Sequence, residues 1–460
     1  MIPRLTRAGD YAKIKSRAEI FGRKGATVMK IKSIHSIIAL LLLIVMMFTS
    51  CNASMADGGG MAGGAPMAGG SYEPGTSIES SSDSDTGVGE SESSTSNSGS
   101  QNLAGLITAA AWNDNDNYDA FKKLFYQDGD KIGKFFVFSK EGDAWGFATG
   151  ALNRIKVSVF DTEDPVAGAK VCAYDGDGKL LYNAVTNASG VAYIFTDTEN
   201  GKVKITSGEH TAESEFSKDS RDLIIRLDAS EEKKNIIDIM FVIDITGSMG
   251  DELTFLQTEI DDVIERVVAK NEGTQVNLAL LFYRDKVDKE EFAYFDFVNV
   301  TDPAGLKVQK AALNSQQASG GGDYPESVDE ALELAMSKQW SSGATTKLIF
   351  HLLDAPPHSG TEDAKRYNAA VMSAAEQGVR ICPILCSGSD SLTEYLTRQA
   401  AVYTGGTFIF VTDDSGIGNS HHDPDLPNVT VEALNMLLVR IISGYHSGIF
   451  DPAVSYKQAN

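Results

Sequence analysis

Residues 236–249, IIDIMFVIDITGSM, decide the fold. The first eight are apolar apart from Asp238 and do not alternate, the pattern of a strand covered on both faces within a parallel sheet. The run then breaks into Asp244-Ile245-Thr246-Gly247-Ser248, after which residues 251–270 read as an amphipathic helix. One carboxylate and two hydroxyls, spaced two apart on a turn after a central strand, converge on the sheet's carboxyl edge. Open α/β sheets place their ligands there. Hard oxygen donors of this kind suit Mg²⁺ or Mn²⁺ rather than zinc.

Outward from this stretch, residues 235–445 alternate strand and helix. Strands are expected at 236–243, 276–283, 292–298, 347–353, 379–385 and 407–411, and helices at 251–270, 304–313, 325–338, 362–377, 391–403 and 429–442. Apolar strands with intervening helices imply a mostly parallel sheet covered on both sides, a doubly wound α/β sandwich. Residues 292–298 follow Tyr283 too closely for a crossover helix, so they are expected to pair antiparallel at an edge.

The segment Asp244-Ile245-Thr246-Gly247-Ser248-Met249 resembles the DxSxS signature of von Willebrand factor type A (vWA) domains, with Thr246 in place of the first serine. Two later segments fall where that fold supplies its other metal loops: Gly320-Gly321-Gly322-Asp323-Tyr324-Pro325-Glu326, and Leu353-Asp354-Ala355-Pro356-Pro357-His358. The resemblance implies a metal-ion-dependent adhesion site. Asp244, Thr246, Ser248, Asp323 and Asp354 would hold a divalent cation, Mg²⁺ first, with Mn²⁺ or Ca²⁺ as alternatives. Family members usually offer a threonine where Asp323 stands. That substitution matches a bacterial subgroup that also carries a motif like Phe282-Tyr283-Arg284-Asp285. A third carboxylate neutralises more of the cation and weakens its attraction for an acidic partner.

Arg284 and Lys286 read equally as counter-charges or as ordinary surface residues. Arg284, Asp285 and His358 are candidates to support the site from behind. His351 and His358 flank Asp354, and the default for each is a satisfied structural histidine. The rival to metal binding is helix capping by Thr246 and Ser248. Capping leaves Asp244, Asp323 and Asp354 crowded at one edge without a cation, which is costly. Glycines 320–322 lack the lysine and Ser/Thr of a P-loop and do not follow a strand, so flexibility in a close loop is their expected use. The His421-His422-Asp423 segment, with Asp425, is expected to be a solvated loop.

Before this domain, residues 1–51 read as an export signal. Lys30-Ile31-Lys32 precedes a short apolar run that ends at Thr49-Ser50-Cys51, too short to span a bilayer comfortably. Phe48-Thr49-Ser50-Cys51 resembles a bacterial lipobox, which implies lipidation at Cys51, membrane anchoring and display on the cell envelope. Met29 reads as the more natural start. Residues 52–100 are Gly-, Ser- and acid-rich and expected to be disordered, a leash of roughly 40 Å r.m.s. span. Residues 101–150 are expected to be short helices and irregular chain, with helices at 103–111 and 117–126. The acidic cluster Asn113-Asp114-Asn115-Asp116 is expected to cap the second helix at the surface. Residues 151–230 show short alternating runs with turn signals and imply a small all-β sandwich. Its Val166-Ala167-Gly168-Ala169-Lys170-Val171 run resembles carboxypeptidase regulatory-like or transthyretin-like modules, which implies a spacer. Residues 446–460 form a tail.

A formal charge of −23 excludes a basic face for nucleic acid. Four cysteines carry no disulfide framework. Cys382 and Cys386, about 13 Å apart at strand rise, are expected as core thiols. Together these features imply a surface-tethered lipoprotein, not an enzyme, whose vWA domain binds a protein partner through a divalent cation. The alternatives are a metal-stiffened structural part of an envelope assembly, and a haloacid-dehalogenase-like phosphohydrolase using Asp244 as nucleophile. The last lacks its usual second aspartate, since position 246 is Thr.

Overall fold

The structure is a computed structural model that describes residues 107–458, apart from 129–130, 141–144, 148–149, 323, 416–421, 423, 425 and 427. The expected signal, Cys51, the linker 52–100 and Asp323 lie outside the described residues.

In chain order come β1 (Thr108–Trp112), α1 (Tyr118–Lys123), α2 (Phe136–Lys140), β2 (Arg154–Asp161), β3 (Lys170–Tyr174), β4 (Leu180–Val185), β5 (Val191–Phe195), β6 (Gly201–Ser207), β7 (His210–Phe216) and β8 (Asp222–Leu227). Strand and helix then alternate: β9 (Lys234–Asp244), α3 (Gly250–Lys270), β10 (Gln275–Tyr283), β11 (Phe292–Asn299), α4 (Pro303–Asn314), α5 (Val328–Met336) and β12 (Ala344–Leu353). The chain continues through α6 (Thr361–Gln377), β13 (Val379–Leu385), α7 (Ser391–Thr404), β14 (Phe408–Val411), β15 (Glu432–Ala433) and α8 (Leu434–Ser447).

The large sheet has eight strands in the order β11-β10-β9-β12-β13-β14-β1-β15. Its middle, β10-β9-β12-β13-β14, is parallel, and β11 pairs antiparallel at one edge as its short connection requires. Strand β9 is buried without interruption from Ile237 to Asp244. Its side chains alternate between two cores. Ile237, Ile239, Phe241 and Ile243 meet residues of α3, α4 and α8 on one face. Met240 and Val242 meet residues of α5, α6 and α7 on the other. Cys382 and Cys386 are buried, free thiols.

The first strand corrects the expected helix at 103–111. Residues 108–112 are extended and pair antiparallel with β14, in the register Ala109 to Val411 and Ala110 to Phe410. Three consecutive alanines favour helix on their own. Here the unpaired flank of β14 offers a ladder, and Ala109 and Ala110 are fully buried on opposite faces. The same insertion moves the last helix. Glu432 and Ala433 pair with β1, so α8 starts at Leu434, later than the expected 429.

Residues 154–227 form two sheets, β7-β6-β3-β4 and one built on β2, which pairs parallel with β8 and antiparallel with β5. Strand β7 carries polar, outward-facing residues at an edge and has no hydrophobic signal in the sequence. Asn113 accepts from the backbone N–H groups of Asn115 and Asp116 before α1, as a capping residue would. Asp114 does not stay at the surface. It is buried and takes both Nε and Nη2 of Arg398, at 2.8 and 2.6 Å. His422 likewise leaves the solvated loop expected for it and lies 2.8 Å from Glu394, while His421, Asp423 and Asp425 lie outside the described residues.

Candidate metal centre at the carboxyl edge of the sheet

Asp244 ends β9, and the chain turns through Thr246 into a single 3₁₀ turn, Gly247–Met249, before α3. Backbone bonds stitch this turn to its neighbours. Ile245 N donates to Tyr283 O at 2.9 Å, Ser319 N to Ile245 O at 2.9 Å, and Gly247 N to Gly320 O at 3.2 Å. Glu326 N donates to Pro356 O at 3.1 Å, which joins the glycine loop to the loop after β12. Three segments distant in sequence thus share one edge.

Asp244 is fully buried, and its Oδ1 accepts from Thr246 N at 2.8 Å and Thr246 Oγ1 at 2.7 Å. Its Oδ2 is buried and has no hydrogen-bond partner. Thr246 Oγ1 and Ser248 Oγ stand 3.4 Å apart, and Ser248 hydrogen-bonds Asp354. Neither hydroxyl makes a side-chain cap to the helix that follows, so the capping alternative does not describe this turn. Asp244, Thr246, Ser248 and Asp354 are brought together as expected.

The glycine loop is shaped by its backbone. Gly320 and Gly321 have φ of +80° and +75°, a region that side chains rarely enter. A Cβ on Gly321 would stand 3.0 Å from Glu326 Oε1 and 3.2 Å from Thr246 Cβ. The glycines let the loop lie directly on the Asp244 turn.

The electrostatics are one-sided. Burial, then the Asp354 carboxylate, push Asp244 up to about 7. Burial also raises Asp354, with Glu252 adding to it. Glu326 is pushed up to about 9 by burial and by Asp244, Asp285, Asp354 and Asp288, and its Oε2 is buried and unpartnered. Glu252 accepts from Ser387 Oγ at 2.9 Å through Oε1, while its buried Oε2 has no partner.

The candidate supporting residues divide. His358 Nε2 lies 2.6 Å from Asp285 Oδ1, and Asp285 is buried. The Arg284 guanidinium donates to the backbone oxygens of Gln317, Ser319 and Glu290 at 2.9–3.0 Å. It clamps the chain leading to the glycine loop. Lys286 turns to Asp363 at 2.8 Å. His351 is a structural histidine, 3.1 Å from Tyr283 Oη, and burial lowers it to about 3.

Glu252 and Glu326 are the residues that sequence reasoning missed as site groups. Glu326 stood inside the quoted loop motif. Glu252 carried no signal, since an acid in the first turn of a helix reads as dipole compensation.

Among the described residues, no group of three or more His, Cys, Asp or Glu side chains gathers to hold a metal by itself. The donor set here is mixed, two hydroxyls with carboxylates. Neighbouring ligands on an Mg²⁺ octahedron stand about 3 Å apart, so the hydroxyl spacing suits an ion. The unpartnered Asp244 oxygen is the vacancy in hydrogen bonding that a cation would fill.

Residues 238–413 match the family model described as von Willebrand factor A domain. Two curated relatives align over shorter stretches. The "Alpha-protein kinase vwkA" of Dictyostelium discoideum is 29% identical over 128 residues, 27% of this chain and 19% of that protein. The "Putative ariadne-like RING finger protein R811" of Acanthamoeba polyphaga mimivirus is 28% identical over 123 residues, 27% of this chain and 11% of that protein. The chain thus spans under a fifth of either relative's length. Among solved structures, the conserved hypothetical protein BatB from Bacteroides thetaiotaomicron has a TM-score of 0.31 at 15% identity, covering 45% of this chain and 98% of that one. The open conformation of the pilus adhesin SpaC from Lactobacillus rhamnosus GG has a TM-score of 0.34 at 14% identity, covering 55% and 33%. Likenesses this slight carry no functional weight.

Proposed function

We propose that the vWA domain holds a divalent cation, Mg²⁺ ahead of Mn²⁺ or Ca²⁺, and binds a protein partner over the edge that the cation braces. Asp244, Thr246, Ser248 and Asp354 would hold the ion, with Glu326 and Asp323 as further carboxylates. The ion would supply the positive charge that these groups otherwise lack. The chain would be exported and anchored to the bacterial envelope through lipid on Cys51. The observation that carries the reading is the buried, unpartnered Oδ2 of Asp244 beside a second buried carboxylate. Isolated buried charge is costly, and a hard cation relieves it.

The test is thermal unfolding of the protein and its Asp244→Ala variant, titrated with Mg²⁺, Mn²⁺ and Ca²⁺ against EDTA. An ion at a hundred times its Kd adds about 2.7 kcal/mol. Gain in the wild type and none in the variant supports the site. No response in either sinks it.

A second reading, a cation that only stiffens the fold, is favoured by the depth of the site: Asp244 is fully buried and Thr246 only 2% exposed. Partner binding indifferent to EDTA, beside metal-dependent stability, would select it.

A further inference from the structure

Among the described residues, six carboxylates surround the centre: Asp244, Glu252, Asp285, Asp288, Glu326 and Asp354. All but Asp288 are buried. Cationic side chains nearby are already committed. Arg284 donates to neutral backbone oxygens, Lys286 pairs with Asp363, and His358 with Asp285. One divalent ion cancels two of the six charges and Arg284 at most a third, so these groups stay net negative. A carboxylate offered by a partner would add to that excess.

The rim above these acids is not polar throughout. Val287 is 73% exposed, and Tyr324 is 45% exposed. A Cβ on Gly322 would stand 3.6 Å from Val287 Cγ2, so the two loops meet there, and Tyr324 follows two residues on. The Tyr324 hydroxyl meets Thr393 and Asp390, with Asp354 also near it. Large apolar side chains left in water on binding loops are the kind that anchor a partner.

Building on the proposed cation site, we propose that this edge binds a lysine- or arginine-bearing segment of a protein partner, with an apolar residue of that segment seated on Val287 and Tyr324. The ion then organises the loops and offsets part of the acid cluster, and the remaining negative charge attracts the partner's basic groups. Charge complementarity of this kind acts on encounter and on partner choice.

The test uses the full protein with Mg²⁺ and two short fluorescent peptides, each with a central leucine, flanked by lysines in one and by glutamates in the other. The lysine peptide is expected to bind at least about tenfold more tightly, with the difference shrinking as salt rises. Val287→Ser and Tyr324→Ser are each expected to weaken it by roughly tenfold, while keeping the wild-type rise in Tm with Mg²⁺. A glutamate peptide that binds as well or better overturns the inference, as does binding of neither peptide or indifference to both substitutions. The Mg²⁺-dependent Tm rise is read in the same samples. Its absence counts against the cation site, whereas its presence without a lysine preference counts against the basic partner alone.

Discussion

Two sets of buried carboxylates in this molecule are built on opposite plans. At Arg398, the fully buried guanidinium takes Asp114 in a two-point contact and Glu394 at 2.9 Å. Lys134 at 2.5 Å and His422 at 2.8 Å complete the shell around Glu394. Burial alone would raise Glu394, but His422, Arg398 and Lys134 together hold it down at about 2. At the Asp244 edge the carboxylates face one another, and Asp244 and Glu326 rise to about 7 and about 9. The first set is complete within the chain and fastens residues 107–140 to α7. The second lacks a positive charge that the fold does not supply.

The largest expected effect breaks the complete set. Arg398→Met leaves Asp114 and Glu394 without their shared cation and should cost about 3–5 kcal/mol in urea unfolding. A loss under about 1 kcal/mol would mean that Lys134 and His422 compensate and that the comparison is overdrawn.

Next in size is the incomplete set. In EDTA, Asp244→Asn should match or exceed the wild type in stability, because it removes an uncompensated buried charge. With saturating Mg²⁺ the order should reverse by about 2.7 kcal/mol at a hundred times Kd. Wild-type superiority in EDTA would show that the Asp244 charge is satisfied by the fold itself.

The two sets should also answer pH with opposite signs. The folded pKa of Glu394 lies below the ordinary carboxylate value of about 4.3, so its contribution is whole above that and is lost as pH falls through about 2. Asp244 and Glu326 are raised, so the metal-free fold has their contribution below the ordinary carboxylate range. It loses that contribution as pH rises through about 7 and about 9. Unfolding midpoints between pH 5 and pH 9 should therefore drop in EDTA and hold steady in Mg²⁺. A drop of equal size in both buffers would remove the cation from the account.

The smallest expected effect concerns the glycine loop on the Asp244 turn. Gly321→Ala must adopt φ of +75° and crowd Glu326 and Thr246, a cost of about 1 kcal/mol or more. The Mg²⁺ titration should shift to weaker binding in the same variant. Unchanged affinity would place the glycine loop outside the ion's surroundings.

Much of this was legible in residue order. The continuous apolar run of β9, the helix-period patterns after it and the short β10–β11 connection were enough to expect a doubly wound sheet with an antiparallel edge. Asp244, Thr246 and Ser248 were legible as a carboxylate and two hydroxyls on a turn after a central strand, while Asp354 entered through the resemblance to vWA domains. Glu252 and the burial of Asp285 were not legible, since each depends on which loop closes over it. Arg284 looked like a charge and serves as a clamp, a distinction that only its three carbonyl acceptors make.

By itself the sequence determined the alternation of strand and helix through 234–447 and the place of the oxygen donors at one sheet edge, because side-chain periodicity and turn chemistry act within a few residues. Tertiary structure alone decided that 108–112 is a strand. The free flank of β14, about 300 residues away in the chain, supplies hydrogen bonds that outweigh the helical preference of three alanines. It also decided which buried acids are neutralised. Asp114 finds Arg398 across 284 residues, while the charged groups that act on Asp244 are the carboxylates of Asp354 and Glu252. Pairing of charges in a low-dielectric interior is settled by the path of the whole chain.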